Sequence, residues 1–176
     1  NERVAFYAHT FGGTVMVTRG GEVVYSLHGT GREAPARVNL TEQLVGSFST
    51  VVRGANRATS TVNYFKGNDP ARWRSGIPTY ERVRIEGRQE GLVLEIAARG
   101  DNVEKLFIVD PGAQTADVRV NVSGAQSLRT NGAGELVVET ELGEVAFTRP
   151  IAYQETDDGR AYVKVAYALH GNSYGF

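Results

Sequence analysis

From Val4 to Leu169 apolar and polar residues alternate with a period of two. The alternation is broken roughly every 8–12 residues by glycine, proline or Asn/Asp turn signals, the spacing of an all-β domain. A strand sends successive side chains to opposite faces, so this period commits the chain to half-buried strands and leaves little room for helices. The opening shows the pattern plainly. Val4–Phe11 runs into Gly12-Gly13, Thr14–Arg19 into Gly20-Gly21, and Glu22–His28 into Gly29. Each Gly-Gly pair supplies the positive φ of a tight hairpin, which gives a three-strand meander. Residues 29–37 read as a loop, Val38–Val45 as a strand, and 46–60 as irregular with a short strand near Val51-Val52. Further strands are expected at Thr79–Glu86, Leu92–Arg99, Val103–Val109, Val118–Val122, Glu135–Glu141, Glu144–Arg149, Ile151–Thr156 and Ala161–Leu169. One helix start stands out: Asp69 caps, Pro70 fits the first helical position, and Gly76 and Pro78 stop the turn. The expectation is an all-β fold, a β-sandwich or stacked antiparallel sheets of about 13 short strands, with one helical turn near residues 69–74. Residues 1–176 form one β-rich domain in this reading, with sub-lobes 1–66 and 79–176 sharing sheets.

Composition excludes several function classes. At 176 residues, 41% hydrophobic and 22% charged, the chain has a globular rather than a disordered composition and buries a core without staples. The net charge is −1, and the sixteen arginines and three lysines (Lys66, Lys105, Lys164) are interleaved with acids. That balance gives no electrostatic drive toward nucleic acid or an anionic membrane. There is no cysteine, which removes disulfides, Fe–S clusters, thiolate zinc sites and cysteine nucleophiles. No apolar run approaches the roughly 18 residues of a membrane-spanning helix. No nucleic-acid partner, membrane insertion or cofactor is expected.

The chemistry-bearing residues do not assemble into a known constellation. His9, His28 and His170 lack a second ligand at zinc spacing. Glu95 and Glu104 nearly pair across an expected hairpin, but a glycosidase needs two carboxylates facing across a cleft. The serines lack a Gly-x-Ser-x-Gly elbow, and the Gly-rich turns lack the helix that a phosphate loop requires. Asp157-Asp158-Gly159 has calcium-loop residue types without the twelve-residue spacing. No catalytic or metal residue is assigned and the chain is expected not to be an enzyme. One aromatic group remains: Tyr64, Phe65, Trp73 and Tyr80. They form either a platform for a sugar ring or a plug in which Trp73, buried, closes one end of the core. The plug is the favoured reading.

The segment Asn63-Tyr64-Phe65-Lys66-Gly67-Asn68-Asp69-Pro70, with Trp73 and Pro78-Thr79-Tyr80 behind it, resembles the "NYF-x-GNDP…W…PTY" hallmark of a β-rich domain. That domain stands at the N-terminus of bacterial extracellular proteins carrying SBBP (β-propeller-like) repeats. Asn102–Ala113, Glu139–Val145 and Pro150–Glu155 are similar to further segments of the same family, in the same order. The family has no agreed biochemical activity. The resemblance implies a secreted or cell-surface protein whose partners are copies of itself or neighbouring repeat domains. The expected role is a structural or adhesive module, a self-assembling filament or surface-layer subunit using β-strand addition. The alternative is a carbohydrate- or protein-binding module. The family's upstream and downstream segments are not among these 176 residues, so the chain is expected to be a mature or trimmed product. The expected assembly anchors lie at the two ends: Val4, Phe6 and Phe11, and Tyr174 and Phe176.

Overall fold

The computed structural model describes residues 3–10, 13–29, 37–46, 50–87, 90–100 and 102–176. The chain is all-β. Strands β1 (Val4–Thr10), β2 (Gly13–Thr18), β3 (Val23–His28) and β4 (Arg37–Leu44) form an antiparallel meander. Next come β5 (Val51–Tyr64), β6 (Arg74–Glu86), β7 (Leu92–Arg99) and β8 (Asn102–Val109), which make a four-stranded antiparallel sheet of their own. Strand β9 (Arg119–Ser123) returns to pair with β4. A three-stranded sheet follows, made of β10 (Ser127–Thr130), β11 (Leu136–Thr140) and β12 (Gly143–Phe147). Strands β13 (Ala152–Thr156) and β14 (Gly159–Val163) pair only with each other. The last two, β15 (Ala168–His170) and β16 (Ser173–Gly175), close a seven-stranded sheet of order β1-β2-β3-β4-β9-β16-β15.

The sixteen strands among the described residues exceed the expected thirteen because several are only three or four residues long, below what alternation reveals. The stretch 46–60 was expected to be largely irregular, yet Val51–Tyr64 is one strand of 14 residues. The expected strand Ala161–Leu169 is broken between β14 and β15. The helical turn at Pro70–Arg72 is present as a single 3-10 turn, with Asp69 accepting from the Ala71 N–H. A second such turn, Thr115–Asp117, carries no side-chain cap and left no comparable mark in the sequence. The boundary between the expected sub-lobes falls inside the β5–β6 hairpin, whose strands pair with each other along most of their length.

Period-two alternation builds the core. On the seven-stranded sheet Val15, Val17, Val23, Tyr25, Leu40, Leu44, Val120, Val122 and Tyr174 share the inward face, as their register requires. Ile85, Leu92, Leu94 and Ile96 of the four-stranded sheet, and Leu136 and Val138 of β11, pack into the same cluster. Each fully buried aliphatic side chain contributes roughly 1.5–3 kcal/mol. The outward face of the four-stranded sheet is a lattice of ions. Arg53 and Arg84 pair with Glu86, Arg84 and Arg82 with Glu95, and Arg82 and Arg99 with Glu104.

One charged pair lies inside. Glu42 occupies the inward phase of β4, between Leu40 and Leu44, and is 3% exposed. Lys105 occupies the inward phase of β8, beside Phe107, and reaches across the sandwich. Its ammonium donates to Glu42 Oε1 at 2.7 Å, to Glu42 Oε2 at 2.9 Å and to the Tyr174 hydroxyl at 2.9 Å. Tyr25 and Tyr174 each donate to the same carboxylate at 2.8 Å. Phe147 of the three-stranded sheet lies 3.9 Å below the Lys105 ammonium, a cation–π contact. All three ammonium protons and both carboxylate oxygens are matched, the condition under which a buried ion pair is tolerated. Burial, then the charge of Glu42, raises Tyr25 and Tyr174 well above the usual phenol value. Tyr167 is pushed up to about 12 by burial and by Glu42. Burial lowers Lys105 despite the attraction of Glu42.

Two predictions follow from this cluster. Lys105→Met strands a buried carboxylate and should cost about 3–5 kcal/mol in urea unfolding. Adding Glu42→Gln should recover much of that loss; an unchanged midpoint for Lys105→Met refutes the pairing. The second concerns alkali. Unfolded phenols release protons near pH 10, whereas Tyr25, Tyr167 and Tyr174 hold theirs in the fold. Their contribution is complete below pH 10 and is lost as pH rises through the folded values. Lys105, lowered in the fold, acts in the opposite sense only up to its unfolded value near 10.4. Stability therefore falls above pH 10, and phenolate absorbance from the buried tyrosines should appear only together with loss of the sheet circular dichroism signal. Ionisation of the full tyrosine complement with that signal intact contradicts the prediction.

Candidate functional site

The sequence-selected aromatic segment lies on a ribbon that leaves the sandwich. β6 pairs with β7 only from Val83 to Glu86, so, among the described residues, the stretch 57–80 of the β5–β6 hairpin runs on without a third strand. Residues near the exit mark the departure. Asn56 adopts φ +54°, a left-handed conformation that asparagine tolerates better than most residues. Between Arg57↔Tyr80 and Thr61↔Pro78, β5 advances four residues against two of β6. Further out, between Val62↔Ile77 and Tyr64↔Arg74, β6 carries the extra residue. There Gly76, at φ +65°, donates its N–H to Asn63 Oδ1. Such irregularities twist a ribbon and turn it out of its sheet. Pro78, which has no N–H for a ladder, falls in the same unflanked stretch.

The arm is wet on both faces and carries apolar side chains all the same. Val62, Tyr64, Phe65, Trp73 and Ile77 are all exposed. Val62 and Ile77 face each other across the ribbon, with Tyr64 one step further along the same face. At the tip, Phe65 and Trp73 meet edge-on at 5.4 Å, and Trp73 Nε1 donates to the Gly67 carbonyl at 3.1 Å. Trp73 is 40% exposed. The expectation that Trp73 is a buried core plug is therefore corrected: Trp73 lies at the ribbon tip, between the 3-10 turn and the start of β6, away from the core cluster. Tyr80 plays a packing role instead. Its ring lies over Gly54, where a Cβ would approach to 2.4 Å, and meets Phe6 edge-on at 5.8 Å. The aromatic quartet is thus divided, with Tyr64, Phe65 and Trp73 on the outer arm and Tyr80 at its root.

The expected assembly anchors are placed differently from one another. β1 is an outer strand of the seven-stranded sheet, with Val4 half-buried at its start and Phe6 turned toward Tyr80. Phe11 lies outside the described residues. Tyr174 sits in this chain's own core rather than at a free end, at 1% exposure, because β16 is flanked by β9 and β15. Phe176 packs on Phe107, Tyr167 and Tyr174. Tyr174 is not available to another subunit while the sheet is intact, whereas Phe176 is half-buried.

Other sequence candidates resolve simply. Glu95 and Glu104 are both held by Arg82, at 3.6 and 3.5 Å. His9 Nδ1 lies 3.1 Å from Thr14 Oγ1 on an exposed surface. Among the described residues no three His, Asp or Glu side chains are grouped to hold a metal. Sequence reasoning missed Glu42 and Lys105, although each is a charged residue at the apolar phase of its strand. Their cluster is closed by packing, so its role is structural.

A family model described as a domain of unknown function (DUF7948) matches residues 1–176. The chain belongs to the DUF7948 family. No curated protein and no solved structure matches it. This DUF7948 domain is a closed sandwich from which one long ribbon extends.

Trp73→Ala tests the placement of the arm. The ring's contacts are local to the ribbon tip, so global stability should fall by at most about 1 kcal/mol, the range of exposed sites. A loss of about 3–5 kcal/mol, the figure for a buried aromatic, contradicts the exposed arm.

Proposed function

We propose that the DUF7948 domain is a non-enzymatic extracellular structural or adhesive module that self-associates through the β5–β6 arm by β-strand addition. The observation that carries this reading is the unflanked ribbon of residues 57–80, with apolar side chains in solvent. A two-stranded ribbon alone in water is marginally stable, and its open edges present N–H and C=O groups to any incoming strand. Strand addition satisfies those groups, while Val62, Tyr64 and Ile77 lose water at the same contact. The sequence resemblance to secreted repeat proteins supports an extracellular setting. Carbohydrate binding is a second reading, favoured by the exposure of Trp73 at the arm's tip.

The test is the size of the purified protein by light scattering over a range of concentrations. Arg57 and Tyr80 face each other, so an Asn-Gly turn in place of residues 58–79 closes a shortened hairpin. The full chain should grow in mass with concentration, and the shortened chain should remain monomeric with unchanged circular dichroism. Equal assembly of both chains refutes the proposal. A full chain that stays monomeric and retains a glycan on an array, with loss on Trp73→Ala, supports the second reading.

A further inference from the structure

We infer that the arm of one copy docks on the acidic β13–β14 hairpin of a second copy, turn end to turn end. This rests on the self-association reading above and names the partner surface. The first observation is a contrast in charge pairing. On the inner part of the four-stranded sheet Arg53, Arg82, Arg84 and Arg99 are all in ion pairs. Among the described residues, Arg57, Lys66 and Arg72 of the arm have no acidic partner, and Arg74 bonds only to the carbonyls of Ala71 and Trp73. Residues 57–80 hold these four cations and a single acid, Asp69, whose carboxylate is occupied as a cap.

The second observation is that the same chain carries the complement. The β13–β14 hairpin, Ala152–Val163, holds three acids, Glu155, Asp157 and Asp158, and one cation, Arg160. Glu155 is paired with Arg160, but Asp157 and Asp158 form no ion pair among the described residues. Asp157 and Asp158 form the turn of β13–β14, which among the described residues is the other ribbon without a third strand. This hairpin also has exposed apolar side chains: Ile151 at its base, and Tyr162 and Val163 on β14. A cleft of about 420 Å³ opens at that base, lined by Pro150, Ile151, Tyr162 and Val163, with Arg149 and Lys164. Those two cations repel the arm's own, which selects the alignment that brings the arm's tip to the acidic turn. The chain thus holds two unflanked ribbons, one basic and one acidic, each with an apolar strip.

The two patches differ, so copies either exchange arms reciprocally in a two-fold dimer or join head-to-tail into a ring or filament. Opposite charges fix the register and speed encounter, while the apolar strips supply the burial.

The test is a charge swap in the full-length chain, followed by light scattering. One variant carries Lys66→Glu, Arg72→Glu and Arg74→Glu; the other carries Asp157→Lys and Asp158→Lys. Each alone should self-associate about tenfold or more weakly than the parent, with unchanged circular dichroism. Mixed in equal amounts they should assemble again, because every contact in the mixture then joins opposite charges. If neither variant weakens assembly, or the mixture fails to restore it, the acidic hairpin is not the partner, while loss of assembly on shortening the arm still upholds the self-association reading. A monomeric parent that binds dextran sulfate saturably through the arm also overturns the inference, since its occupant is then an anionic polymer.

Discussion

Three sheets meet at one ion pair. Glu42 comes from the seven-stranded sheet, Lys105 from the four-stranded sheet, and the ring under the ammonium, Phe147, from the three-stranded sheet. An apolar core holds layers together without specifying how they register, because dispersion and burial are nearly non-directional. A buried carboxylate that accepts four hydrogen bonds from three side chains is different. Sliding one sheet by a residue turns Glu42 or Lys105 outward, or leaves one of them alone in the interior, at a cost of several kcal/mol. The pair is poor evidence for stability as such, since apolar replacements of like volume are often as stable. Its contribution is to fix which face of β4 meets which face of β8, and Tyr25 and Tyr174 draw β3 and β16 into the same register.

That closure shapes the rest of the surface. With the inward faces filled and the outward face of the four-stranded sheet neutralised by its ion lattice, the sandwich is complete without the outer half of the β5–β6 hairpin. The ribbon then continues beyond β7 with nothing of its own chain to lie against. Apolar side chains at such a place cost solvation and contribute nothing to the core, and four cations there lack acid partners among the described residues. Both features make sense if the ribbon is one half of a contact between molecules, which is the proposal argued above.

The alternation made the fold class legible, and with it most strand positions, because period two survives wherever one face is buried. It did not separate a strand against the core from a strand in free solution. Arg57 to Tyr64 reads Arg-Ala-Thr-Ser-Thr-Val-Asn-Tyr, small and polar, and this is why part of it passed for irregular chain. Trp73 was misplaced for the same reason: a lone tryptophan among turn residues looks like a plug until the length of β6 is known. The capped turn at Asp69-Pro70 was legible since its chemistry is local. Glu42 and Lys105 were legible in principle, as charges in the apolar phase of Leu40-Thr41-Glu42-Gln43-Leu44 and Val103-Glu104-Lys105-Leu106-Phe107. Their pairing was not, because 63 residues separate them and nothing local brings β4 opposite β8.

The central claim is a self-contained sandwich that extends an unsatisfied arm, and backbone hydrogen exchange reads both parts at once. In dilute solution, amides of Leu92–Arg99 and Arg37–Leu44 should exchange slowly, while those of residues 57–80 exchange orders of magnitude faster, as in an unflanked ribbon. At high concentration the arm should gain protection and the core should not change. An arm as protected as the core in the dilute monomer, or one whose exchange ignores concentration, contradicts the account.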